Sequence, residues 1–224
     1  MRNTLIRWLI LLSCLLTGSL PAFAAKPDAS LPATIEQDAI AITDAALKPD
    51  RHQLEAVYRK TVKEVRALHK SLVDKPFDER HAREVSMAYS WLELVAVNLK
   101  NHSMIGAAIA ANQLSAEMIR FQHAGTTRGW QIHWLGYLGR ELMLLAMEDA
   151  KLNAELLASR RSDAASTWQR LRLSIIRNFR NKPLVEQGDT LFERMTPDAP
   201  AQVVIREGRQ LAMFAGKLDT QIRD

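Results

Sequence analysis

Cysteine is all but missing from this chain: of 224 residues, Cys14 is the single one. It lies inside the first apolar run, so a protein that loses that run has no thiol at all. Disulfides, thiolate zinc sites, a cysteine nucleophile and the C-x-x-C-H attachment of covalent c-type haem are then excluded together. Proline is absent from Phe77 to Lys182, so nothing of that kind stops a helix in that span. No segment alternates apolar and polar residues with period two, and no strand is expected. G-x-S-x-G, S-x-x-K, H-E-x-x-H and the phosphate loop G-x-x-x-x-G-K-[ST] are all missing, which removes the local signatures of the common hydrolases, zinc proteases and nucleotide binders.

Positive charge is in modest excess. The formal net charge is +5, and it falls to +3 if Arg2 and Arg7 leave with the leader. That is too mild to argue for nucleic acid as a partner.

The first residues are built for export. Arg2 and Arg7 stand without an acid, Trp8 to Leu16 is apolar, and Ala22-Phe23-Ala24 places small residues where a signal peptidase reads. The expectation is a cleaved signal peptide over residues 1–24, delivery to the periplasm, a flexible lead-in over 25–33 and one domain over 34–224. Leu11-Leu12-Ser13-Cys14 loosely matches a lipobox, but the apolar run before it is short, so a lipoprotein anchored at Cys14 ranks below release. Pro21 and the A-x-A site argue in the same way against an uncleaved anchor. No transmembrane span is then left after removal of the signal. About 200 residues remain, enough to bury a sizeable core.

What fills those residues is helical periodicity. Thr34-Ile35-Glu36-Gln37 has the form of a capping box, and the short helix behind it ends at Lys48-Pro49. Leu54, Tyr58, Thr61, Val65, Leu68 and Leu72 alternate spacings of four and three, a seam of two apolar residues per heptad. Asp78 follows Lys75-Pro76 and caps the next helix. Val85 to Ala116 is then apolar nearly all round, with only Glu93 and Lys100 charged, which marks enclosure by other helices. As one helix, the segment to Gln122 would be about 67 Å long. Lys100-Asn101-His102-Ser103, followed by Gly106, is the expected break. His123 to Gly129 reads as a loop, and Trp130 to Ser159 as a second central helix with Trp134, Leu138, Leu142, Leu145, Leu152 and Leu156 inward. Ser162 or Asp163 is expected to cap a helix carrying Trp168, Leu171, Ile175 and Phe179. Pro183 opens a shorter segment to about Met195, and Ala201 to Ile222 forms the last helix, its apolar side interrupted by Gly208 and Gly216. The fold class expected is all-α, a single-domain bundle of about six to eight helices around two apolar central ones.

Chemistry has few places to reside. Ala88 to Leu94 and Gly136 to Leu142 both read small-Tyr-x-x-x-Glu-Leu, 48 residues apart, as two helical hairpins on one plan would. Tyr89 and Glu93 share a helix face, and His133, Tyr137 and Glu141 continue the same four-residue spacing. A carboxylate in apolar surroundings must find a partner or take up a proton. If the two central helices face each other, these groups line one polar pocket able to hold a small ligand or a metal ion. The plainer alternative pairs Glu93 with Arg140 or a lysine. No glutamate stands three residues before a histidine, so the di-iron bundle motif is missing. The six histidines and eight methionines single out no metal or haem site, and the cofactor remains unknown. Finally, Arg170, Arg177 and Arg180 fall on one side of their helix, a basic face suited to anionic lipid, cell-wall polymer or an acidic envelope protein. The function expected is a periplasmic, non-enzymatic protein that binds a small ligand or a partner. A metal or haem protein using the same pocket comes second, and an enzyme of unknown class third.

Overall fold

Each of these periodicities becomes a helix in the computed structural model, which describes residues 30–48, 51–73, 75–122, 127–179, 181–196 and 198–222. The leader, with Cys14, lies outside the described residues, as does Arg180. Eight helices occur among the described residues: α1 (Ser30–Ala46), α2 (Arg51–Val73), α3 (Glu79–Lys100), α4 (Met104–Gln122), α5 (Arg128–Asp149), α6 (Ala154–Asn178), α7 (Lys182–Arg194) and α8 (Ala201–Gln221). The protein is an all-α bundle. No helix among the described residues is long and apolar enough to cross a membrane.

Consecutive helices run antiparallel, and the contacts close two four-helix groups. One joins α1–α2, α2–α3, α3–α4 and α1–α4; the other joins α5–α6, α6–α7, α7–α8 and α5–α8. The α4–α5 pair holds the groups together. Short connections make this the natural topology, since a helix that turns back at once packs beside its predecessor. Ile35, Ala39, Val65, Leu68, Val85, Ala88, Leu92, Leu114 and Met118 fill the first group. Leu138, Leu142, Trp168, Leu171, Ile175, Leu211, Phe214 and Leu218 fill the second. At about 1.5–3 kcal/mol for each fully buried large side chain, these two cores carry the fold without any cross-link.

Local chemistry sets the helix ends. Asp78 accepts from the His81 amide at 3.1 Å and Thr127 from that of Trp130 at 3.2 Å, each satisfying an amide with no partner in the helix. Between α3 and α4 the chain turns through Asn101-His102-Ser103, with His102 at φ 57° and the Ser103 amide returning to the Asn98 carbonyl at 2.9 Å. The expected break is thus a tight turn between antiparallel helices. It makes α3 a flank of the bundle, with Met87, Leu94 and Val97 exposed. The central helices are α4 and α5 rather than the whole of 84–122 and 130–159.

The second expected helix ends ten residues early. Asp149 accepts from the amides of Lys151 and Leu152 at 2.9 and 3.0 Å, and Asn153 Nδ2 reaches the Leu145 carbonyl at 3.1 Å. These side chains offer the backbone an alternative to another helical turn, a stop that needs neither glycine nor proline. Leu152 is consequently exposed, and Leu156 is 37% exposed, instead of inward. Ser162 and Asp163 lie in the middle of α6 and do not cap it. At the start of the domain α1 begins at Ser30, four residues before the expected capping box.

The glycines of α8 do not interrupt it. A Cβ on Gly208 would sit 2.6 Å from the Gly139 carbonyl oxygen, and one on Gly139 would sit 2.6 Å from the Ala212 amide nitrogen. Here α5 and α8 touch backbone to backbone. Gly216 is different: a Cβ there meets nothing within 4 Å.

Candidate ligand site between α1, α5 and α8

The structure divides the residues expected to share a pocket among separate places. Tyr89, on α3, sets its hydroxyl 3.4 Å from His69 Nδ1 of α2 at the edge of a groove. Glu93 is exposed. Neither approaches α5, because α4 stands between α3 and α5. The tyrosine-glutamate pair on α5 has the opposite surroundings, with Tyr137 and Glu141 1% and 4% exposed. The two copies of the pattern therefore share a spacing without sharing an environment.

Around α5 a polar network crosses the α4 interface. Asn112 Nδ2 donates to Glu141 at 3.1 Å and to the Tyr137 carbonyl at 3.4 Å, while Gln113 Nε2 donates to both Glu141 oxygens at 3.0 and 2.8 Å. The Tyr137 hydroxyl donates to Gln113 Oε1 at 3.3 Å. Burial, with the charge of Glu141 beside it, pushes that phenol well above its ordinary range, so it stays a neutral donor. Arg160 of α6 reaches Glu141 at 3.5 Å. Glu141 is thus a satisfied acid that ties α4, α5 and α6 together. Its partners, 19 to 29 residues away, carried no spacing signal in the sequence.

The residue before Glu141, Arg140, is 9% exposed. Its Nε donates to Asn112 Oδ1 at 2.9 Å and its Nη2 to Ser115 Oγ at 3.1 Å. No carboxylate among the described residues lies within ion-pairing distance of it; Glu36, Asp44 and Glu141 act on it from farther away. Burial lowers its pKa to about 10, which leaves the guanidinium charged at neutral pH. No described residue accepts from Nη1. That nitrogen lies 3.5 Å from where a Cβ on Gly136 would be, on the side of a cleft that both residues line.

The cleft is formed by α1, α5 and α8 and has a volume of about 280 Å³. Ile40, Ile132, Gly136, Ala212, Ala215 and Gly216 make its apolar surface, and Glu36, Gln37, His133, Arg140 and Asp219 its polar one. Glu36, 2% exposed, accepts from His133 Nδ1 at 2.6 Å and from Gln122 Nε2 at 2.8 Å. His133 Nε2 lies 3.5 Å from Asp219. The hydrogen bond to Glu36 outweighs burial and raises the pKa of His133, so this imidazole between two carboxylates keeps its proton to higher pH than a free histidine. The sequence had marked His133 and Arg140 but not Glu36 or Asp219, which lie 97 and 86 residues from His133. Glu36 read instead as part of a capping box.

Two further acid pairs sit in the α1–α4 group. Glu84 and Glu117 hydrogen-bond to each other, although both are buried. Burial and the neighbouring Glu84 raise Glu117 to about 7, so Glu117 holds the shared proton. Burial also opposes ionisation of Glu84, but the bonds from Glu117 and Arg83 prevail and lower its pKa. Lys60 bonds Asp38 at 2.9 Å and Glu64 at 3.4 Å, and the remaining oxygens, Asp38 Oδ2 and Glu64 Oε2, are buried without another partner. Glu64 is raised by burial and by its hydrogen bond with Asp38. A proton between the two carboxyls accounts for both orphan oxygens.

On the expected basic face, Arg170 and Arg177 are exposed on α6, with Leu173 and Ile176 exposed among them. Arg172 is not free to join them, since it holds Asp189 at 2.8 Å. No three His, Cys, Asp or Glu side chains among the described residues converge to hold a metal ion.

Fold and site together define a class: an up-and-down helical bundle with an inter-helix cleft that combines a glycine-alanine wall with a buried arginine. Comparison of the chain with protein-family models, with curated proteins and with solved structures finds no match.

Proposed function

We propose that this protein is exported to the periplasm and acts there as a non-enzymatic binding protein, holding a small ligand in the cleft between α1, α5 and α8. The observation that carries the reading is Arg140, a nine-tenths buried cation with two nitrogens tied to Asn112 and Ser115 and the third turned to the cleft. An arginine kept so far from water without an adjacent carboxylate is costly unless something completes its partners. The small residues of α5 and α8 support the same reading, for they leave space in the cleft that larger side chains would fill. Export rests on the basic, apolar and A-x-A pattern of the leader.

Native mass spectrometry of the protein released from the periplasm tests this directly. The expected result is a small-molecule adduct on the wild type that is lost in Gly216→Leu, a variant that fills the cleft from an unobstructed helix position. An adduct-free wild type whose melting temperature no member of a broad metabolite panel raises would refute the reading.

A further inference from the structure

We infer that the ligand is a small monocarboxylate with a short apolar body, its carboxylate on Arg140 and its body against Gly136, Ala212, Ala215 and Gly216. This rests on the binding function proposed above and specifies the chemistry of the same cleft.

Three observations select that class. The first is charge. His133 is already matched by Glu36 at 2.6 Å and Asp219 at 3.5 Å, whereas Arg140 has no carboxylate at ion-pairing distance among the described residues. One positive charge in the cleft thus lacks a close counter-ion. A monoanion supplies it, and a second negative charge would face Glu36 and Asp219.

The second is hydrogen-bond geometry. Nε and one Nη2 hydrogen are taken by Asn112 and Ser115, which fixes the guanidinium plane and leaves Nη1 toward the cleft. What remains on the cleft side is Nη1, a charged donor suited to an anionic oxygen and not to an amine. The third is the wall. Ile40, Ile132 and the four small residues offer a body no hydrogen bonds, and a cleft of about 280 Å³ lies just below the usual range for ligand sites. A chain or ring of a few carbons fits; a nucleotide does not.

The test is calorimetric titration and thermal denaturation of the leader-free chain at pH 7 and fixed ionic strength. The probes are propionate, isovalerate and benzoate, each set against its amide and against the amine of matching shape. The carboxylates are expected to bind about ten- to a hundredfold more tightly than their amides, the ratio of a charge-assisted hydrogen bond to a neutral one. They should also lose binding in Gly216→Leu, which leaves the Asn112–Arg140–Ser115 contacts in place. Arg140→Lys, which keeps the charge but displaces it, should narrow the preference for carboxylate over amide, with circular dichroism confirming the fold. If amides or amines bind as well as the carboxylates, and Gly216→Leu removes that binding, the cleft is a ligand site but the carboxylate assignment is overturned. If the wild type carries a native adduct while all three carboxylates leave it unchanged, the assignment falls in the same way. If no probe binds and no adduct exists, both this inference and the binding function fall.

Discussion

Replacing Glu117 by glutamine isolates the proton that this fold holds between two buried carboxyls. In the native protein Glu117 sits at about 7, against 4.5 for an unhindered glutamate, so the folded state keeps a proton that the unfolded chain has already released. The unfolded state therefore binds fewer protons between these values, and stability falls as pH rises from about 4.5 to about 7. At about 1.4 kcal/mol per pH unit the loss is at most about 3 kcal/mol. Glu84 shifts the opposite way, so its own contribution falls below pH 4.5 and leaves this window to Glu117. Glutamine keeps an oxygen for Trp91 Nε1 and Arg120 Nη1, now 3.3 and 2.9 Å from Glu117 Oε1, and its amide donates to Glu84 without any titratable proton. Glu117→Gln should thus match the wild type near pH 4.5 and exceed it by up to about 3 kcal/mol at pH 8. Urea denaturation of both proteins at several pH values reads the difference. If that difference is the same at pH 4.5 and pH 8, no proton is shared and the reasoning is wrong.

Other perturbations separate contacts that look alike in the sequence. Gly208→Ala pushes a methyl into the backbone of α5 and should cost about 1–3 kcal/mol, while Gly216→Ala, in open space, should gain about 0.5–1 kcal/mol from helix propensity; thermal denaturation distinguishes them. Glu141→Gln removes the charge held by Arg160, Asn112 and Gln113 and should destabilise by about 1–3 kcal/mol, whereas exposed Glu93→Gln should change stability by less than about 0.5 kcal/mol. Equal effects on denaturation midpoints would contradict the separation of the two glutamates. His133 has a raised pKa, so the stability from its pairing with Glu36 is fully present below about 6.5 and is lost as pH rises through the folded value. Nuclear magnetic resonance titration should find its midpoint above about 6.5 in the wild type and lowered in Glu36→Gln.

Where helices would form, and which side of most of them would be buried, is legible in residue spacing. Leu54, Thr61, Val65 and Leu68 of the first seam and the faces Trp168–Ile175 and Val204–Leu218 are buried as their periodicity requires, with Tyr58 and Leu72 half-buried, because a helix fixes its own face through backbone geometry alone. Helix ends were legible only where proline or a capping residue spoke for them. Asp149 and Asn153 ended α5 through side-chain hydrogen bonds that compete with helix on nearly equal terms, so no residue pattern distinguished the stop.

The site was half visible. His133, Tyr137, Arg140 and Glu141 stood out because polar groups on an otherwise apolar helix must be satisfied somewhere. Which groups satisfy them was settled by packing. Placing α4 beside α5 gave Glu141 its amides and Arg140 its anchors, and the same placement left Glu93 on the surface. Close approach of α8 at Gly139 and Gly208, with α1 across from them, brought Glu36, His133, Arg140 and Asp219 around one cleft. By itself the sequence determined an all-helical chain, its faces and its unusual polar residues, since each of these depends on neighbours within a turn or two. Only the tertiary structure decided which carboxylates share protons, which arginine lacks a counter-ion and where the cleft opens, because those depend on distances between residues up to 97 positions apart.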